Sequence, residues 1–201
     1  MDLINTNDHL NIYNYYNLSE NVDPKENNLS RSLAITLTND KDFLNEVFKE
    51  FVLEKDHKEL FSLDYNNIED ENIYIDIQTS AGSNKISDKS YERYIGVLLG
   101  DFEDVNITDK QIKNQVPSDT ANPIPDIVIG IQNSLVIIET KLRGEINDFC
   151  QLKGHVKSII ENNYKDNDDK ENIDVKEEYK LESWENVLQK AINFYQNDDS
   201  K

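Results

Sequence analysis

Apolar residues recur with a helical period after an irregular start to the chain. Residues 1–25 are rich in Asn and Tyr and indicate an irregular lead-in. From Glu26 onward the apolar positions form one helical stripe, and a second stripe follows Asp40, whose side chain is suited to cap a helix. Two consecutive helices are therefore predicted, with apolar anchors at Leu29, Leu33, Leu37, Phe43, Leu44, Val47, Phe48 and Phe51.

Strand and loop signals follow these helices. Residues 73–77 alternate apolar and polar side chains, which predicts a strand with one buried face. Residues 91–102 are apolar enough to be buried, but their periodicity fits a helix or a strand, and we favour a helix followed by a strand. Residues 103–124 are polar and contain Pro117 and Pro123, so we predict a loop.

A β-hairpin is the clearest element of the chain. Residues 127–131 and 135–138 are almost continuously apolar and rich in β-branched side chains, and only Gln132, Asn133 and Ser134 separate them. Continuous apolar runs are typical of strands that are buried on both faces. We therefore place this hairpin at the centre of a sheet.

The last part of the chain returns to helical periodicity. Apolar residues after Gly144 lie on one helical stripe, with Asp148 in its first turn. Residues 161–180 are acidic and poor in apolar side chains, which favours a solvated loop or insert. Residues 181–201 predict an amphipathic helix, with Trp184 as a core anchor.

These elements indicate one domain, since 201 residues leave little room for a second. We predict an α/β fold of the mixed, α+β type, in which helices flank a sheet. Residues 26–160 form its core, preceded by the lead-in of residues 1–25. Residues 161–180 form the acidic insert, and residues 181–201 form the C-terminal helix.

Composition limits the location of the protein and its metal chemistry. No run approaches the roughly 18 apolar residues that cross a bilayer, and the N-terminal residues do not resemble a signal peptide, so we expect a cytoplasmic protein without a membrane partner. Cys150 is the single cysteine, and the three histidines, His9, His57 and His155, are scattered. A Cys/His zinc site is therefore not expected, and any metal should be held by oxygen.

The net charge of −19 opposes nucleic-acid binding, because phosphate recognition depends on Lys and Arg. The charge is unevenly distributed. Residues 1–84 carry 17 acids against 6 bases and residues 158–201 carry 12 against 6, whereas residues 85–157 carry 11 against 9. The acidic excess therefore belongs to the flanks, and a bound cation would bring the middle segment close to neutrality.

Charged residues end the second strand of the hairpin. Glu139 and Lys141 are two positions apart, so both side chains point to one side of the strand while Thr140 points away. Burying a lone carboxylate or ammonium group costs several kcal/mol, so such groups have a partner or a metal.

Asp126 begins the first strand after Pro125. In an antiparallel hairpin, the residue numbers of opposed residues add up to a constant. With a loop of Asn133 and Ser134 this constant is 267, and Asp126 lies opposite Lys141. With a loop of Gln132 and Asn133 it is 265, and Asp126 lies opposite Glu139.

Pro125-Asp126, a gap of 12 residues and then Glu139-Thr140-Lys141 resemble the signature of the PD-(D/E)XK nuclease superfamily. The resemblance covers residues 26–160 and implies a restriction-endonuclease-like core, made of a helix, a strand, the hairpin and a following helix. It implies that Asp126 and Glu139 bind Mg²⁺ or Mn²⁺, with the backbone carbonyl of Thr140 as a further ligand, and that Lys141 assists the attacking water. The expected activity is a metal-dependent DNA endonuclease acting in genome defence or restriction.

Two further positions resemble the family less specifically. Glu26 matches a glutamate that reaches the metal site from the first helix, although it also suits the start of any helix. Gln151 matches a polar position near the site, and His155 lies on the same helical face; both also fit an ordinary surface. The family pattern includes a final strand, for which the only candidate here is the charged segment 172–179.

Other readings of the chain remain open. An acidic protein could mimic DNA and occupy the nucleic-acid site of another protein, which the charge of −19 favours. The fold could instead serve as an inactive interaction module. For a nuclease with this charge, we expect DNA as the nucleic-acid partner, with help from a homodimer or an activating protein. The basic residues Lys85, Lys89, Arg93, Lys153 and Lys157 are candidates to border a DNA track, although scattered lysines are typical of a solvated face.

Overall fold

The computed structural model describes residues 24–51, 73–78, 86, 91–102, 107–119, 124–131, 133–164 and 175–198. Within these residues the helices and strands are α1 Pro24–Asn39, α2 Lys41–Phe51, β1 Ile73–Ile77, β2 Arg93–Gly100, α3 Asp109–Asn114, β3 Ile127–Ile131, β4 Ser134–Thr140, α4 Asp148–Asn163, β5 Lys176–Ser183 and α5 Trp184–Asp198.

The strands form one mixed sheet in the order β1-β3-β4-β2-β5. Strand β3 is antiparallel to both β1 and β4, whereas β2 is parallel to both β4 and β5. The predicted hairpin is β3–β4, and β4 is the central strand of the five. The prediction of a mixed sheet with helices is confirmed.

The hairpin register decides between the two predicted alternatives. Ile127 pairs with Ile138 and Ile131 pairs with Ser134, so paired positions sum to 265. Continued by one position, this register places Asp126 opposite Glu139, as expected for a loop of Gln132 and Asn133.

Helices cover both faces of the sheet, because the inner strands β2, β3 and β4 are buried along their whole length. Helices α1, α2 and α5 pack on one face, and α4 packs on the other with α3 beside it. The cap predicted for α2 is present, since the Phe43 amide donates to Asp40 Oδ1 at 2.8 Å. The first face is built around Leu33, Leu37, Val47, Ile129, Val136 and Val187, and the second around Val128, Ile137, Phe149, Leu152 and Val156.

Two predictions in the middle of the chain were wrong. Residues 93–100 are a strand throughout, and every residue in it is buried, because β2 lies between β4 and β5 with helices on both faces. The predicted loop of residues 103–124 contains α3. Thr108 caps this helix and forms a reciprocal capping box with Gln111, which gave a sequence signal for a helix start.

The predicted boundaries near the C-terminus also require correction. Helix α4 extends to Asn163, and residues 176–183, assigned partly to the acidic insert and partly to the last helix, form β5. β5 lies at the edge of the sheet, where charged residues are tolerated and discourage pairing with other chains. Helix α5 therefore begins at Trp184 instead of residue 181.

None of the helices in the described ranges has both the length and the apolar character that a membrane span requires.

Candidate functional site

Glu139 is a buried carboxylate near the end of the central strand β4. Its side chain is held by two donors that share one oxygen. Lys141 Nζ donates to Glu139 Oε1 at 2.7 Å, and Gln151 Nε2 donates to the same atom at 2.7 Å. Glu139 is 2% exposed. The strand period brings Lys141 to the same side as Glu139, and α4 supplies Gln151 from the neighbouring layer.

The second oxygen of Glu139 faces His155. The His155 Nδ1 atom lies 3.2 Å from Glu139 Oε2, and His155 is 3% exposed. Neither of these two buried atoms makes a hydrogen bond with any residue that the structure describes. Because Gln151 and His155 are four residues apart on α4, they approach the carboxylate from the same helical face. The alternative prediction, that His155 is an ordinary surface residue, is therefore wrong.

Asp126 lies beside this cluster but turns its carboxylate toward Thr140. Asp126 Oδ2 accepts hydrogen bonds from the Thr140 amide at 2.8 Å and from the Thr140 hydroxyl at 2.7 Å. Thr140 Oγ1 also lies 2.6 Å from Ser30 Oγ of α1. Because Thr140 has a single hydroxyl proton, which it gives to Asp126, Ser30 is the donor in that contact. Helix α1 thus supports the aspartate through one intervening hydroxyl group.

The environment of Asp126 disfavours its negative charge. Burial, followed by the nearby negative charge of Glu139, raises the pKa of Asp126 from 3.8 to about 7. The hydrogen bonds from Thr140 and the positive charge of Lys141 act in the opposite direction and lower the pKa. A divalent cation would stabilise this arrangement, in which desolvation and then buried Glu139 raise the pKa of the partly buried Asp126.

The backbone of Lys141 is fixed from two sides. Its amide donates to the carbonyl of Leu99 in β2 at 2.8 Å, and its carbonyl accepts from Trp184 Nε1 at 3.0 Å. Trp184 is the first residue of α5 and also packs against the core. The peptide that carries the lysine is therefore anchored to both the sheet and the C-terminal helix.

The predicted site residues fall into two connected groups. Glu139, Lys141 and Gln151 form one group with His155, and Asp126 forms the other with Thr140. The side chain of Glu26 lies outside the described residues, although its backbone belongs to α1. Sequence reasoning missed the role of Ser30 and assigned Trp184 to packing alone, since neither residue is close in sequence to its partner.

Two residues of the predicted DNA track, Arg93 and Lys153, are engaged inside the fold, and two more, Lys85 and Lys89, lie outside the described residues. Lys153 is 7% exposed, and its Nζ donates to the backbone carbonyls of Lys113 and Gln115 at 3.1 and 2.9 Å. Arg93 is buried and pairs with Glu178 at 2.7 Å. Both cations hold the fold together, whereas Lys157 is exposed and lies 3.9 Å from Glu161.

Asp126 and Glu139 offer oxygen ligands of the kind that a divalent cation takes. In the described ranges, however, no three His, Cys, Asp or Glu side chains converge into a group that could hold a metal ion. Glu139 Oε2 is a buried carboxylate oxygen without a hydrogen-bond donor among the described residues, and it lies 3.2 Å from His155 Nδ1 as an ion pair if that imidazole is protonated. Such an atom is costly to bury unless a cation accompanies it.

No family model, curated protein or solved structure matches this chain.

Proposed function

We propose that this protein is an endonuclease that hydrolyses DNA phosphodiester bonds with Mg²⁺ or Mn²⁺. The observation that carries the proposal is the pair of carboxylates that the hairpin brings together, buried Glu139 and partly buried Asp126, with Lys141 donating to Glu139. Glu139 Oε2 has no donor among the described residues, and the pKa of Asp126 is raised to about 7. Both features favour binding of a hard cation next to an ammonium group.

The arrangement of elements supports a restriction-endonuclease-like core. Helix α1, strand β1, the hairpin β3–β4 and helix α4 follow one another in the order that the PD-(D/E)XK signature implies. Strand β5 fills the place of the final strand that the sequence presented only weakly. Strand β2 is an addition to this pattern, since it lies between β4 and β5 in the sheet.

Each residue of the site would have its own role in the reaction. Asp126 and Glu139 would hold the cation, which would polarise the scissile phosphate and lower the pKa of a bound water. Lys141, anchored through both backbone groups, would place its ammonium group beside the attacking water and the developing negative charge. Gln151 would orient Glu139 through Oε1, which leaves Oε2 directed away from that donor.

Cleavage of plasmid DNA and linear DNA at low salt tests this proposal. Wild type should cut with Mg²⁺ or Mn²⁺ and not in EDTA, whereas Asp126→Asn and Lys141→Ala should lose at least about 100-fold in rate, as is typical for removing a group that acts on the transition state. The matched control is Lys110→Ala, which removes an exposed lysine of α3 from outside the predicted DNA track and should cut like wild type.

Folding of each variant should be verified by circular dichroism before its rate is interpreted. Single-stranded DNA and RNA, offered in the same assay, would define the substrate class. Equal inertness of wild type and variants with every metal and substrate would contradict a self-sufficient nuclease.

The net charge of −19 favours a second candidate, an acidic module that binds a nucleic-acid-processing protein in place of DNA. This candidate gives no reason to bury Glu139 beside Asp126. It predicts that the protein inhibits a DNA-binding partner without a metal, and that Asp126→Asn and Lys141→Ala inhibit equally well. Metal-dependent cutting that both substitutions abolish would decide against it.

A further inference from the structure

We propose that His155 binds the same divalent cation as Glu139, through Nδ1, and that the site therefore prefers a first-row transition metal such as Mn²⁺ over Mg²⁺. This inference rests on the proposed metal site and identifies the class of metal that the site selects. It replaces the expectation from composition that oxygen alone would hold the metal.

The two buried atoms lie at the separation of neighbouring metal ligands. His155 Nδ1 and Glu139 Oε2 are 3.2 Å apart. Ligand atoms at about 2.1 Å from one ion and at right angles to each other are about 3 Å apart. A single cation can therefore contact both atoms with little movement of either side chain.

The contact between His155 Nδ1 and Glu139 Oε2 is an ion pair when the imidazole carries a proton on Nδ1, although neither atom makes a hydrogen bond with the described residues. Without that proton, two buried electron-pair donors face each other, and a cation between them offsets the cost of burying them. A divalent metal ion can take the place of the proton, and it requires the imidazole tautomer whose proton is on Nε2.

The hydrogen bonds of Glu139 leave its Oε2 atom available to a metal ion. Lys141 and Gln151 both donate to Oε1, so they orient the carboxylate without occupying its second oxygen. His155 sits one turn beyond Gln151 on α4, and its burial prevents it from moving into solvent. The ligand pair is thus fixed by one strand and one helix that pack against each other.

The nitrogen ligand determines the preference between metals. Mg²⁺ is a hard ion that takes oxygen ligands and retains several waters. Imidazole nitrogen binds transition-metal ions more readily. A site in which a histidine nitrogen joins the Glu139 carboxylate should consequently bind Mn²⁺ more tightly than Mg²⁺, and the histidine should contribute most of that difference.

Metal binding to the purified full chain tests the inference without relying on cleavage. Calorimetry should give tighter binding of Mn²⁺ than of Mg²⁺ in wild type. His155→Ala should weaken Mn²⁺ binding by about tenfold or more and reduce the preference over Mg²⁺. His155→Asn, which keeps a polar side chain in the same space, provides a second variant if the alanine variant does not fold.

Electron spin echo measurements on bound Mn²⁺ provide the direct readout. Wild type should show coupling to a nitrogen nucleus of imidazole, and both His155 variants should lose it. Gln151→Ala is the matched control, because it removes a donor to the same carboxylate from the same helical face and should retain the nitrogen coupling.

The outcomes separate this inference from the proposed function. Binding of Mn²⁺ that depends on Asp126 and Glu139 but shows no nitrogen coupling in wild type would overturn the role of His155 and leave the nuclease proposal standing. Equal losses of Mn²⁺ and Mg²⁺ affinity in His155→Ala, without nitrogen coupling in wild type, would show that the histidine only supports Glu139. Absence of binding by either metal would overturn the metal site itself.

Discussion

At the scale of single residues, the two oxygens of Glu139 have different surroundings. Oε1 accepts from Lys141 and Gln151, whereas Oε2 faces His155. Asp126 is held instead through Thr140, so the two carboxylates are oriented by separate sets of donors. This separation allows each carboxylate to be changed without removing the supports of the other.

Asp126→Asn should stabilise the metal-free protein at pH 8. The folded-state pKa of Asp126 is raised to about 7, above the ordinary value of 3.8, so ionising this group costs stability as the pH rises from 3.8 toward 7. The full cost is present above pH 7 and disappears below about pH 4. Asparagine carries no charge, and its carbonyl oxygen can still accept both hydrogen bonds from Thr140.

Urea unfolding in EDTA at pH 5 and pH 8 measures this effect. The advantage of Asp126→Asn over wild type should be larger at pH 8 than at pH 5, and it should amount to several kcal/mol at most. Asp119→Asn is the control, since Asp119 is exposed and makes no buried contact in the described structure. A variant that is less stable than wild type at both pH values would show that the negative charge of Asp126 stabilises the fold.

At the scale of elements, the candidate site lies where α1, β4, α4 and α5 meet. Helix α1 reaches it through Ser30, α4 through Gln151 and His155, and α5 through Trp184. The first of these connections joins residues 110 positions apart in the chain. Loss of a single hydrogen bond at such a junction should affect both stability and the geometry of the site.

Thr140→Val should destabilise the protein by about 1–3 kcal/mol, because valine keeps the shape of threonine but leaves Ser30 and Asp126 without the buried hydroxyl. Ser30→Ala should cost less, about 1 kcal/mol, since Thr140 can still donate to Asp126. Urea unfolding of the two single variants and the double variant measures the coupling between them. Strictly additive losses would contradict a shared hydrogen-bond chain.

Trp184→Phe should lower the cleavage rate more than it weakens substrate binding, because it releases the carbonyl of Lys141 while keeping most of the packing. Steady-state kinetics should show a fall in kcat with little change in KM, together with about 1 kcal/mol of lost stability. Phe194→Leu is the control, since Phe194 packs on the same core from the same helix and contacts the ring of Phe43. Equal kinetic effects in both variants would argue for packing alone.

The sequence predicted the hairpin but not β2 or β5, and the difference has physical reasons. The hairpin was clear because β-branched runs are distinctive, and Glu139 with Lys141 followed from the strand period. Strand β2 was ambiguous because a segment buried on all sides has no polar face, and β5 was hidden by its charges. The register remained open because Gln132, Asn133 and Ser134 allow two loops. The contact between Trp184 and Lys141 spans 43 residues, and no local pattern contains it.

At the scale of the whole molecule, the protein carries a net charge of −19. Within the described part of the chain, Arg93 and Lys153 are engaged inside the fold. For the proposed nuclease, electrostatic steering toward DNA should consequently be weak, and approach of a phosphodiester should depend on the bound metal and on cations from solution.

DNA binding by Lys141→Ala, which keeps both proposed metal ligands, should therefore be weak near physiological salt, and it should depend more on divalent cations than on the DNA sequence. Fluorescence anisotropy of labelled DNA, measured between about 50 and 200 mM NaCl with and without Ca²⁺, tests this expectation. Lys157→Ala serves as a comparison that removes one exposed positive charge. Tight binding in EDTA at high salt would point to a basic surface elsewhere in the chain.

The contact between Trp184 and the carbonyl of Lys141 has an optical consequence. The chain contains one tryptophan, so all indole emission from the unlabelled protein originates at this position. The indole N–H donates a hydrogen bond to the backbone carbonyl of Lys141, whose ammonium group donates to Glu139. Any event that shifts that peptide alters the polarity and hydrogen bonding of the fluorophore. The protein thus carries a built-in spectroscopic reporter of its own candidate site.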